Sequence, residues 1–132
     1  MKGLPLRIAI IAAFLFMPIG AQAQHLTMTA ISGKPLKLNF SNTTNPDCSS
    51  VGETVVRLTQ EPQHGRVTIS KASDFPSFPK KNQRYACNKK QVAGTRTMYV
   101  AERGYTGTDS AAIEIIFASG STARRSYSIN VR

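Results

Sequence analysis

From residue 26 onward, apolar and polar side chains alternate along short runs, and Gly, Pro, Asn and Ser gather between the runs. Alternation with period two turns one set of side chains toward a core and the other toward solvent, as in a half-buried β-strand; no helical period is sustained after residue 23. Seven strands are predicted, over residues 26–31, 35–40, 53–60, 66–70, 95–101, 110–118 and 122–132. In the second, Leu36, Leu38 and Phe40 share one face, and Lys37 and Asn39 the other. Val56 and Leu58 point inward in the third, Val67 and Ile69 share a face in the fourth, and Met98 and Val100 lie opposite Thr97 and Tyr99 in the fifth. The turn over residues 61–65, Glu-Pro-Gln-His-Gly, makes the third and fourth runs a hairpin-like pair. The last two runs flank Ser119-Gly-Ser121, which sets Ile113, Ile115 and Phe117 facing Tyr127, Ile129 and Val131 across the core.

Two segments lack the alternation. Residues 41–47 are rich in Asn and contain Pro46, so they form a loop. Residues 71–90 carry Pro76, Pro79 and a lysine-rich tract, with room for one short strand over residues 84–87. Connections of that length are uncommon in compact domains and are often functional. Seven short strands in about 100 residues predict an all-β antiparallel sandwich, with an open barrel as the competing arrangement.

Two segments carry a resemblance. Glu61-Pro-Gln-His-Gly-Arg-Val-Thr-Ile69 and the stretch from Tyr99 to Ser110 resemble the bacterial cadherin-like, immunoglobulin-like domain family, over about residues 30–132. Pro62, His64, Gly65, Val67, Tyr99, Gly104, Tyr105, Gly107, Asp109 and Ser110 fall on matching positions. Physically, Gly104 and Gly107 allow positive φ, and Asp109 can cap backbone amides of the turn. The resemblance implies an Ig-like sandwich of about seven strands. Ala101 stands where the family usually has proline and Ala111 where it usually has an aromatic, so one corner and one core position pack differently. The family's partners do not follow from its fold.

The N-terminus changes the setting. Lys2 and Arg7 precede an apolar run over residues 8–17, and Pro18-Ile-Gly-Ala-Gln-Ala23 closes it with a small-x-small pattern. That is the form of a secretory signal peptide cleaved after Ala23, followed by one domain over residues 24–132. The run falls short of the ~20 residues that span a bilayer, so no transmembrane anchor is expected after cleavage. Periplasmic or secreted localisation follows. Of 17 basic and 7 acidic residues, only Lys2 and Arg7 leave with the leader, so the mature charge is 15 against 7, or +8. A basic excess favours anionic partners and keeps a protein dispersed as a monomer.

Cys48 and Cys87 are the two cysteines. In an oxidising compartment they are expected to pair, two buried thiols or a redox pair being the alternatives; their spacing is not that of a Cys-x-x-Cys redox motif.

The candidate binding chemistry lies in the long connection. No acidic residue occurs between Asp74 and Glu102, while Lys80, Lys81, Arg84, Lys89, Lys90 and Arg96 bring six positive charges interleaved with Phe75, Phe78, Tyr85 and Tyr99. Cations of this kind meet phosphate, sulfate or carboxylate, and aromatic rings add stacking. The site expected from sequence is therefore Lys80, Lys81, Arg84, Tyr85, Lys89, Lys90 and Arg96, with Cys48 and Cys87 tying the loop. Duplex nucleic acid is the wrong anion for an exported protein; lipopolysaccharide, anionic polysaccharide or an acidic protein surface fits better.

Catalysis finds little support. His25 and His64 are the two histidines, and no Gly-x-Ser-x-Gly elbow is present, so no enzyme activity and no cofactor are expected. Cleavage would leave Gln24-His25-Leu-Thr-Met28 at a loose terminus, a weak copper chelate at best, and no Asp-rich calcium loop occurs. The expected function is a non-enzymatic binding module for an envelope or extracellular anion. The rivals are a structural or assembly accessory pairing through its edge strands, and an inhibitor of a secreted enzyme.

Overall fold

The computed structural model describes residues 23–132 together with Gly3, so most of the expected leader lies outside the described residues, and the expected cleavage point after Ala23 falls immediately before the first strand. The chain is a two-layer β-sandwich of seven strands: β1 (Gln24–Ala30), β2 (Pro35–Ser41), β3 (Val55–Gln60), β4 (Gly65–Asp74), β5 (Val92–Ala101), β6 (Gly107–Ile116) and β7 (Thr122–Val131). One sheet has the order β1-β7-β6-β3 and the other β2-β5-β4. Pairing is antiparallel except for β1, which runs parallel to β7.

Alternation placed the strands well and their partners less well. β3 and β4 are not a hairpin pair: β3 joins β6 in one sheet, β4 joins β5 in the other, and the turn over residues 61–64 carries the chain between layers. Likewise β6 and β7 are adjacent strands, with Ala111 opposite Tyr127, so Ile113 and Ile115 lie beside Tyr127, Ile129 and Val131 rather than across from them. What they face is the other sheet, through Leu38, Tyr99 and Ala101. Period-two patterning selects the buried face of a strand but does not say which strand lies next to it.

In β2 the register shifts between Lys37 and Asn39, leaving Leu38 as the extra residue of a bulge. The alternation inverts there. Asn39 and Ser41 pair with the inward-facing Thr97 and Thr95 and are buried, whereas Phe40 pairs with Arg96 on the outer face. The expected grouping of Phe40 with Leu36 and Leu38 is thereby overturned, and a polar row enters one end of the interior.

At the opposite end Asp109 gathers the two segments that carry the family resemblance. Its carboxylate accepts hydrogen bonds from the amides of Gln63 (2.9 Å), His64 (3.1 Å) and Ser110 (2.9 Å) and from the Tyr99 hydroxyl (2.7 Å). Burial works to raise its pKa, but the Tyr99 hydroxyl and the three amides outweigh it and hold the carboxyl below the ordinary aspartate range. Burial and the same bond push the Tyr99 phenol up. The His64 and Tyr105 rings stack over this corner with centroids 4.1 Å apart.

Gly65 is needed there for space. A Cβ on it would stand 2.6 Å from both the Tyr99 ring and the Val100 carbonyl oxygen, inside the β4–β5 ladder. Gly65→Ala is therefore expected to cost about 1–3 kcal/mol, read as a lowered midpoint in urea with an unchanged slope.

Candidate functional site

β4 runs to Asp74 and β5 starts at Val92, so the irregular connection is residues 75–91, shorter than the alternation suggested. Asp74 anchors its start. The carboxylate takes Lys37 Nζ (2.9 Å), Arg96 Nη2 (3.3 Å) and the Phe75 amide (2.8 Å), and the Lys37 contact is the leading cause of its lowered pKa.

The connection is then pinned at several points. Asn88 clamps Phe78 with its side-chain amide, accepting from the Phe78 N–H (2.8 Å) and donating to the Phe78 carbonyl (2.9 Å). Asn82 closes a turn on Pro79 (2.9 Å) and caps the amide of Arg84 (2.8 Å). Where a short strand was expected over residues 84–87, the chain instead forms a 3₁₀ helix, Tyr85–Lys89. With no neighbouring strand to supply a ladder, the amides of Cys87 and Lys90 satisfy themselves locally on the carbonyls of Arg84 and Cys87 (both 2.9 Å).

Cys87 is fully buried and joined to Cys48. Cys48 has φ of 71°, a left-handed conformation imposed by the tight turn in which its amide bonds to the Asn45 carbonyl (2.9 Å) and Asp47 accepts from the Ser49 amide (3.0 Å). A second tie runs beside the sulfur bridge, where Arg84 Nε donates to the Thr44 carbonyl (2.5 Å).

The seven residues expected to form an anion site thus divide. Lys80, Lys81, Lys89, Lys90 and Tyr85 lie exposed on the connection, and none of the four lysines has a carboxylate partner among the described residues. Lys80 lies two residues past one end of the Asn88–Phe78 clamp and Lys89 one residue past the other, which brings the two lysine pairs onto the same small body. Arg96 is paired with the Asp74 carboxylate, whereas Arg84 braces the loop on the neutral Thr44 carbonyl and keeps its charge without a carboxylate partner among the described residues.

Sequence reasoning missed Arg125. It belongs to the inward phase of β7 with Tyr127, Ile129 and Val131, and it donates to the Asn39 carboxamide oxygen, whose amide in turn donates to Ser41. A charged residue in the phase of a core stripe was the available signal. A cleft of about 390 Å³ opens beside it, at the margin of β2.

His25, considered as part of a metal-binding terminus, sits instead in β1, with Nδ1 2.9 Å from Ser126 Oγ and Nε2 3.1 Å from Ser128 Oγ. Among the described residues no three His, Cys, Asp or Glu side chains converge on a metal position, and no helix is long and apolar enough to cross a membrane. No family model and no curated protein matches the chain.

Proposed function

We propose that the protein is an exported, non-enzymatic binding module that recognises an anionic envelope or extracellular polymer through the connection over residues 75–91. One observation carries this reading: four exposed lysines, free of carboxylate partners among the described residues, project from a loop held by a disulfide, the Asn88 clamp and the Arg84 strut. A loop fixed in advance loses little conformational entropy on binding, so its charges act on the ligand at small ordering cost. Cations already engaged with Asp74 and Thr44 help keep that geometry in place.

An Ig-like assignment fits the strand order. In the constant-type immunoglobulin arrangement the third, sixth and seventh strands share one sheet and the second, fifth and fourth share the other. The same division holds here, with the first strand moved to pair beside the seventh.

Replacing Lys80, Lys81, Lys89 and Lys90 together by Gln should abolish retention on a heparin or lipopolysaccharide matrix at physiological salt while leaving the unfolding midpoint within a few degrees of wild type. Equal retention of the variant would exclude the loop as the binding surface. Retention that ignores salt altogether would transfer the reading to pairing through a strand edge.

A further inference from the structure

The cleft beside Arg125 extends the proposed reading to the chemistry of a single sugar unit. Its walls come from four separated parts of the chain: Asn39, Phe40 and Ser41 on the bulged half of β2, Phe75 and Phe78 at the start of the connection, Phe117 just after β6, and Arg125 on β7. At about 390 Å³ it is large enough for a small cyclic ligand and falls in the range of small-molecule sites.

Charge decides what kind of ligand fits. Lys37 also borders the cleft, with its ammonium 2.9 Å from the Asp74 carboxylate that it shares with Arg96. Arg125 has no carboxylate partner among the described residues; its Nη1 donates to the neutral carboxamide of Asn39, a residue 6% exposed. A guanidinium presents five N–H donors in a planar fork, so this bond leaves donors available to an outside acceptor. A guanidinium with free donors beside aromatic walls matches a ligand with a negatively charged group and an apolar ring face.

We propose that this cleft is a subsite for one carboxylated sugar, a uronate unit of an anionic polysaccharide, with Arg125 gripping the carboxylate and the phenylalanine rings covering the pyranose face. The assignment rests on the polymer-binding reading and names its substrate class.

D-glucuronate, with D-glucose and acetate as controls, titrated into the ¹⁵N-labelled protein provides the test. Saturable shifts are expected at the amides of Asn39, Ser41, Phe78 and Arg125 with glucuronate, at least tenfold weaker with either control. Arg125→Gln should weaken glucuronate binding tenfold or more. Phe75, 52% exposed at the mouth, can be changed without touching the core, and Phe75→Ala should weaken it several-fold with an unchanged unfolding midpoint. No localised shifts, equal binding of acetate, or wild-type affinity in both variants would overturn the assignment.

The four-lysine variant separates this inference from the reading beneath it. If that variant loses polymer retention but no glucuronate binding is seen in the cleft of the wild type, the subsite falls alone. Should glucuronate bind the cleft while the lysine variant keeps full polymer retention, the loop reading falls and the cleft stands.

Discussion

Asp109→Ala is expected to lower the unfolding midpoint by about 15 °C, the largest effect of any single side-chain removal at the Asp109 corner. The carboxylate receives three backbone amides and the Tyr99 hydroxyl at one buried point, so its loss strands several donors away from water. Each hydrogen bond to a charged group contributes about 1.5–3 kcal/mol, and because the four share one acceptor their losses overlap, giving about 4 kcal/mol in all. Tyr99→Phe removes one donor and keeps the ring in the core, so it should cost about 1–2 kcal/mol. A variant at position 109 as stable as wild type would show that the corner is held by packing alone.

The same carboxylate fixes the sign of the acid dependence. Its native pKa lies below the ordinary value, so its contribution is complete above about pH 4 and disappears as pH falls from there through the native pKa. Asp109→Asn should therefore show a shallower loss of stability on the acid side than wild type, measured as unfolding midpoint against pH between 2 and 6. An acid limb identical in both proteins would assign the acid sensitivity to other carboxylates.

Replacing Cys48 and Cys87 together by Ala is the second large effect. The bridge joins residues 39 positions apart, and closing a loop of that size restrains the unfolded chain by about 4 kcal/mol in the chain-entropy account. The folded consequence is equally specific. Without the bridge, the connection over residues 75–91 keeps the Asn88 clamp and the Arg84 bond to Thr44 but loses its covalent tie to the turn at residues 45–49. Hydrogen exchange should rise first in the Tyr85–Lys89 helix, and affinity for the anionic polymer should fall although every lysine remains. Full stability and full affinity in the double variant would remove the bridge from both roles.

How far the sequence led follows from what each signal measures. Alternation located all seven strands, because period two is a local property of each strand. It failed at β2, where one bulged residue, Leu38, reverses the phase and sends Asn39 and Ser41 inward. It also failed on the partners of β3 and β6, since neighbours in a sheet are chosen by long-range packing rather than by local pattern.

The site was half legible for a related reason. Composition marks Lys80, Lys81, Lys89 and Lys90 as a basic run, but only contacts reveal that Arg96 is paired with Asp74 and that Arg84 braces the loop on the Thr44 carbonyl. Arg125 was hidden because it lies among aliphatic and aromatic neighbours of β7, while its cleft is assembled from four separate stretches of chain.

The salt dependence of binding to an anionic polymer tests the central claim most directly. Plotted as log affinity against log salt, the wild type should give a steep negative slope, and the four-lysine variant a slope shallower by about one unit for each lysine the polymer engages. Superimposable slopes for the two proteins would contradict the claim that these four lysines are where the polymer binds.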